Sequence, residues 1–444
     1  MSLIGLLGFG LTVLLAVSLL HGYLWWRLVR STTRPGPVRR RLTVLLVVLA
    51  VLPVLVVLLR GRLPVGGSLL DWVGYTWLGL AFYLFLATLA TEPIRLLARL
   101  VQRRGRPVPG PGPETGDVEP APGTAPAPGG ARGIDAAPPE PGPAPQGGAV
   151  RADREVVDPS RRLFLARTLA VGAGAVALGT AGTGVVLANS APVVRRVPIR
   201  IPRLDPAMAG IRIVTFSDGH LSSTYGGRRF ERLVETVNAQ RPDVVAIVGD
   251  LVDGEVSELR EDAAPLADLV SDQGVYFVTG NHEYFVDTGQ WLRHLSTLGV
   301  DVLRNERVSI GRGGATLDLA GIDDRTAAAS GLPGHGADLD AALDGRDDDV
   351  PVVLMAHQPV QVEQARAAGV DLQLSGHTHG GQLWPFDYAV LLDQPVVEGW
   401  STHGDTQLYV TSGSGYWGPP MRVGARPEVT VIELQPGEPT PPRR

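Results

Sequence analysis

Hydrophobic positions fall into two regimes along this chain. In the first 104 residues they form three long runs, 3–28, 42–59 and 68–89, with only His21, Arg27 and Asp71 as basic or acidic interruptions. Each run is close to the roughly 20 residues a helix needs to cross the hydrocarbon core of a bilayer. Trp25, Trp26, Trp72, Tyr75 and Trp77 stand near the run ends, where aromatic rings favour the membrane interface. A fourth run, 169–188, is richer in Ala and Gly. From residue 211 the pattern changes to short β-branched runs separated by polar or helical segments. Residues 211–216, 244–248, 275–279, 316–320, 352–356, 372–375, 407–411 and 429–433 read as strands. Residues 228–239, 258–269 and 289–298 read as helices, the second weakened by Pro265. Residues 331–349, rich in Gly and Asp, read as a surface loop, with a short helix within it as the alternative. Alternating strands and helices predict a layered α/β domain.

Boundaries follow from these shifts. Residues 1–104 are expected to be a three-helix transmembrane region and 105–158 a Pro/Gly/Ala-rich linker without fixed structure. Such a linker buries too little apolar surface to offset the entropy of ordering it. Residues 159–190 should form a fourth transmembrane helix or a signal anchor, 195–436 a catalytic domain and 437–444 a disordered tail. The linker is expected to uncouple the first three helices from the catalytic domain. Arg27, Arg30, Arg34, Arg39, Arg40 and Arg41 lie between the first two runs, and Arg95, Arg99, Arg103, Arg104 and Arg106 follow the third. Only Arg60 and Arg62 lie between the second and third. The positive-inside tendency then puts the two large clusters in the cytoplasm and everything after residue 190 outside. The expected location is the cell membrane, multi-pass, with the catalytic domain extracytoplasmic. Ser160-Arg161-Arg162-Leu163-Phe164-Leu165 resembles a twin-arginine export signal and predicts the same direction.

Charge and composition narrow the chemistry. A net charge of −5 over 444 residues gives no general attraction to nucleic acid, and none is expected as a partner. Cysteine is absent, which excludes disulfides, thiolate ligands and a Cys nucleophile.

Five short motifs follow directly on predicted strands: Asp218-Gly219-His220, Gly249-Asp250-Leu251-Val252-Asp253, Gly280-Asn281-His282-Glu283, Met355-Ala356-His357-Gln358-Pro359 and Gly376-His377-Thr378-His379-Gly380-Gly381-Gln382. Five of the nine histidines lie in them. Neutral imidazole and carboxylate are the usual ligands of Zn, Mn and Fe. In layered α/β folds, strand ends deliver side chains into one crevice. The pairs Asp218/His220 and His377/His379 are two apart, so each points to one side if strand geometry persists. Gly376, Gly380 and Gly381 let backbone approach closely. His21, His294, His335 and His403 lie outside the motifs and read as surface or core histidines.

The motif set resembles the calcineurin-like metallophosphoesterase family over residues 211–434. Within it, Gly376 to Gln382 and the later Gly413-Ser414-Gly415, Pro420-Met421-Arg422 and Pro427-Glu428-Val429 resemble the bacterial membrane-associated branch related to the YkuE and YaeI phosphodiesterases. The resemblance implies two mixed β-sheets packed face to face with helices outside. It implies that Asp218, His220 and His379 hold one divalent ion (Mn, Zn or Fe) and that Asn281, His357 and His377 hold a second. Asp250 would bridge them, and His282 would be the acid that meets the leaving group. Such a pair of ions polarises phosphoryl oxygens and makes a bridging hydroxide available near neutral pH. Asp253 and Glu283 would support these ligands from behind. The expected function is hydrolysis of phosphodiester or phosphomonoester bonds at the outer membrane face, on lipid or cell-envelope substrates. The alternative is a non-catalytic metal- or phosphate-binding membrane sensor or scaffold. The apolar stretch after His379, with Trp384 and Phe386, would wall a lipid-bearing substrate, dip into the leaflet, or pack as core against the sheet.

Overall fold

A computed structural model describes residues 3–59, 67–104 and 159–439. The predicted linker 105–158 and residues 440–444 of the predicted tail lie outside the described residues, as do Arg60 and Arg62. The apolar runs are helices: α1 (Leu3–Leu24), α2 (Pro37–Leu59), α3 (Gly67–Ala90) and α5 (Pro159–Ala188). A π-helical turn, Trp25–Arg30, follows α1, and the basic helix α4 (Glu92–Arg104) follows α3. Among the described residues four helices are long and apolar enough to cross a membrane.

The strands are β1 (Val193–Ile201), β2 (Arg212–Phe216), β3 (Val244–Val248), β4 (Val275–Val278), β5 (Asp301–Val302), β6 (Glu306–Arg312), β7 (Ala315–Gly321), β8 (Val352–Met355), β9 (Leu372–Ser375), β10 (Gly399–His403), β11 (Thr406–Val410) and β12 (Glu428–Pro436). They form two six-stranded mixed sheets, ordered β1-β12-β2-β3-β4-β5 and β10-β11-β9-β8-β7-β6. This is the two-sheet α/β architecture expected. Within the sheets β2, β3, β4 and β5 run parallel, as do β7, β8, β9 and β11.

Period-two alternation sets the layers. Val244, Ala246 and Val248 of β3 face the second sheet and share a core with Leu317, Leu319, Val353, Met355 and Leu374. Val245 and Ile247 point the other way. They pack under α6 (Arg228–Asn238), α7 (Val256–Ala263) and α8 (Thr288–Thr297), through Phe230, Leu233, Leu259, Trp291 and Leu295. With both faces covered, all five residues of β3 are buried. The predicted helix 258–269 is corrected: α7 stops at Ala263 and Ala264–Asp268 is a 3-10 turn, because Pro265 has no N–H to continue the helix. Strands β1, β5, β6 and β10 were not predicted. β1 carries Arg195, Arg196, Pro198 and Arg200 and is held by pairing along all of β12.

The expected uncoupling of the first helices from the catalytic region is also corrected. Ser223 donates to Asp71 of α3, and the Arg229 guanidinium lies 5.3 Å from the Trp72 ring. Met421, from the loop after β11, packs with Tyr83 of α3 and with Ala177 and Ala181 of α5. Tertiary contact brings together what the sequence separates by a long Pro-rich segment.

Candidate metal centre

Every motif lies at the C-terminal end of a strand with a parallel neighbour. Asp218 and His220 follow β2, Asp250 and Asp253 follow β3, and Asn281, His282 and Glu283 follow β4. His357 follows β8, and His377 and His379 follow β9. Strand geometry does not continue through the two-apart pairs. Asp218, His220, Asp250, His377 and His379 all adopt positive φ, between 46° and 72°. Tight loops, not alternation, aim these side chains. Non-Gly residues held there are strained, and such strain concentrates where the surrounding structure fixes a site.

The predicted ligands Asp218, His220, Asp250, His357, His377 and His379, with the predicted acid His282, fall in three overlapping groups. They are Asp218, His220 and His379; His220, Asp250 and His282; and Asp250, His357 and His377. Asp218, His220 and His357 are fully buried. His220 Nε2 lies 3.0 Å from His379 Nε2, and His379 Nε2 lies 3.3 Å from Asp218 Oδ1. His357 Nδ1 donates to the Val248 carbonyl (2.7 Å), and its Nε2 lies 3.1 Å from Asp250 Oδ2. At that distance either a proton or a metal ion fits between the ring nitrogen and the carboxylate. Asn281 Oδ1, His357 Nε2, His377 Nδ1 and His379 Nδ1 are buried and have no hydrogen-bond partner. Orphaned lone pairs of this kind, beside carboxylates, fit a bound metal ion.

The supporting layer is well defined. Asp253 Oδ1 accepts from His220 Nδ1 (2.9 Å) and from His282 Nδ1 (2.7 Å), fixing both rings. Glu283 is fully buried and accepts from the backbone N–H of Asp250, Leu251 and Gly280 at 2.7–3.0 Å, tying the β3 and β4 loops together. Ser217 donates to Asp218.

Charge is distributed unevenly. Burial alone would raise the Asp250 carboxyl, but His357 and His282 hold it well below its usual value. Asp218 is raised by burial. His282 would be lowered by burial, yet Asp250 and Asp253 bring it up to about 9. His377 is pushed down to about 3 by burial and the neighbouring His357, which keeps its lone pair free. Burial and Asp250 raise Glu283 to about 7 against the backbone donors that hold it ionised.

The sequence model for calcineurin-like phosphoesterases matches residues 211–381. A bovine protein described as a transmembrane protein with metallophosphoesterase domain is 42% identical over 299 residues, covering 65% of this chain and 67% of that one. A Helicobacter pylori metallophosphoesterase is 36% identical, covering 63% of this chain and 73% of its own length. The chain belongs to the calcineurin-like metallophosphoesterases. The metallophosphoesterase YkuE of Bacillus subtilis, 30% identical over 234 residues, covers 51% of this chain and 79% of its own length. The bovine relative is described as a transmembrane protein, and among the described residues this chain has four helices long and apolar enough to cross a membrane.

Three participants escaped the sequence reading as site residues. Arg422 is fully buried and donates to the carbonyls of His379, Ser412, Gly413 and Gly415. The Trp417 ring meets His282 edge-on at 5.7 Å, and Phe285 does so at 5.1 Å. The run Gly413-Ser414-Gly415-Tyr416-Trp417 did carry a signal: glycines mark a close backbone approach, and the aromatic after them sits at its mouth. Trp384 and Phe386 are more than half exposed, so they are not core against the sheet. His403 pairs within β10 and β11 and contacts Ser401 and Glu363; His335 bonds the Tyr284 hydroxyl.

Proposed function

We propose that this metallophosphoesterase hydrolyses phosphodiester or phosphomonoester bonds with two divalent ions. Asp218, His220 and His379 would hold one, Asn281, His357 and His377 the other, with Asp250 between them. The observation that carries this is the convergence of buried imidazoles, several with an unpartnered ring nitrogen, on the carboxylates of Asp218 and Asp250. The donors are N and O only, a set that suits Mn, Zn or Fe. When bound, such ions lower the pKa of water and offset phosphoryl charge.

The chain's own residues supply the rest. His282, with Nδ1 bonded to Asp253 and Nε2 4.0 Å from Asp250 Oδ2, would give a proton to the leaving oxygen. Asp253 fixes the tautomer by accepting from Nδ1, and stabilises the charged ring. Glu283 holds the Asp250 and Asn281 loops in register. The arginine clusters beside α1, α2 and α4 favour a catalytic region on the extracytoplasmic side, reached by a fourth helix at 159–190. That location, and the likeness to the membrane-associated bacterial branch, favour lipid or cell-envelope phosphoesters.

The test is turnover of bis-p-nitrophenyl phosphate and p-nitrophenyl phosphate by the detergent-purified full chain, with metal analysis. Chelation should abolish turnover and added Mn should restore it. Asp250→Asn and His282→Ala should each lower kcat by about 10²–10⁴. Turnover that survives chelation, or is unchanged in both variants, would overturn the assignment. The ratio of the two substrates distinguishes diesterase from monoesterase.

A further inference from the structure

Helix α5 provides a ruler for depth. Its last charged residue is Arg167, and from there to Ala188 the helix rises about 32 Å, close to the hydrocarbon thickness of a bilayer. As a bilayer span, this stretch would put the membrane edge near Ala188, where the helix joins the core of the first sheet. Met421 packs on Ala177 and Ala181, and Val423 on Gly184. Those contacts lie about 17, 10 and 6 Å back from Ala188 along the helix, inside the hydrocarbon depth.

Helix α3 agrees. The Tyr83 hydroxyl donates to the Trp384 carbonyl (3.1 Å), and Gly79 meets Met421 and Pro419. Tyr83 is about 18 Å further along α3 than Asp71, where Ser223 makes the contact at the other end.

Beside these contacts lies an apolar rim. Trp384, Phe386 and Leu391 are 55%, 56% and 50% exposed, and Leu392 is 89% exposed. In 383–392 the only carboxylate is Asp387, whose Oδ1 is buried. Gln382 joins this rim to the catalytic cleft. Its amide bonds the Trp417 carbonyl (2.9 Å) and the Trp417 N–H (3.0 Å), and the Trp417 ring reaches His282.

We infer that the 383–392 segment and Trp417 sit in the bilayer leaflet on the catalytic side, and that the cleft takes its phosphoester from an amphiphile resident in that leaflet. The second half rests on the phosphoesterase reading; the first does not. Exposed aromatic and aliphatic side chains continuous with membrane helices are solvated by lipid, and a site rimmed by them is reached along the membrane plane.

Absence of cysteine makes the test direct. The full-length Leu392→Cys variant, labelled with an environment-sensitive fluorophore, is reconstituted in vesicles of equal parts phosphatidylethanolamine and phosphatidylglycerol. Blue-shifted emission, quenched by lipids carrying a nitroxide on the acyl chain, is expected. Val270→Cys, exposed at the opposite, N-terminal end of the strands, should read as aqueous. Identical emission and quenching at the two positions overturns the bilayer contact. For delivery, Leu392→Ser should lower hydrolysis of vesicle-borne phosphatidylglycerol at least fivefold and leave bis-p-nitrophenyl phosphate turnover unchanged. Equal effects on both substrates, or no lipid turnover by the native chain beside good turnover of the soluble ester, overturns lateral delivery. No turnover of either ester by the metal-loaded native chain refutes the hydrolase reading and delivery with it, and the label alone then decides the bilayer contact.

Discussion

Replacing Arg422 with Met should destabilise the catalytic region and loosen its metal site together. The guanidinium donates to Gly415 O (2.7 Å), Ser412 O (2.8 Å), His379 O (3.1 Å) and Gly413 O (3.2 Å), with no solvent exposure. Two of these carbonyls keep another partner: Gln382 N–H bonds His379 O, and Glu428 N–H bonds Gly413 O. Ser412 O and Gly415 O would lose the donor that Arg422 gives them. Methionine fills much of the volume, so the loss is mainly polar. Two buried carbonyls stripped of charge-assisted bonds cost about 3–5 kcal/mol in all. For a region of this size each kcal/mol moves the midpoint by roughly 2–4 °C, so Tm should fall on the order of 10 °C. Burial pulls the guanidinium down only to about 10, so it is charged throughout the neutral range and the effect should not depend on pH there. The measurement is thermal unfolding of the detergent-purified chain by tryptophan fluorescence, with a titration of Mn-dependent turnover. Arg422→Lys should fall between, because one ammonium cannot reach four carbonyls spread around a planar fork. A methionine variant unfolding within about 2 °C of the native chain would refute the view that this arginine holds the His379 and 412–415 loops.

Two further substitutions probe the site. Asp253→Asn keeps the shape of the acceptor shared by His220 and His282 but removes its charge. Turnover should fall about 10- to 100-fold. Because Asp253 is one of the charges that raise His282, the alkaline limb of kcat should move to lower pH; a limb that stays put would show that Asp253 does not act through His282. Gly415→Ala would drive a Cβ into the Gly219 carbonyl, where the 413–415 loop packs against the Asp218 loop. We expect a loss of about 1–3 kcal/mol in stability and weaker Mn dependence, both read by the same assays; an unaltered midpoint would mean that the loops yield easily.

Much of this was legible in sequence because it rests on local chemistry. Three runs of 18 or more apolar residues can satisfy their backbones in lipid only as helices, and they are helices in the structure. Buried parallel strands need β-branched residues on both faces, which is why 244–248 was readable and became β3. β1 was not: two adjacent arginines and a proline conceal a strand that exists because β12 offers it a full ladder. β5, of two residues, has no sequence signature at all.

The candidate site shows the same division. Residue types narrowed the candidate ligands, since Asp, Asn and His in these motifs offer oxygen and imidazole lone pairs in a chain without cysteine. Aim was a tertiary matter: five of the converging residues have positive φ, a conformation that isolated L-residues avoid and that loop packing must impose. Arg422 gained its role only because folding placed four carbonyls around it. Contact of the 383–386 and 419–423 loops with α3 and α5 likewise depended on packing between segments far apart in the chain. Composition decides what a side chain can donate or accept, and that is local; which groups it meets, and which way it points, depends on distant backbone that sequence spacing does not encode.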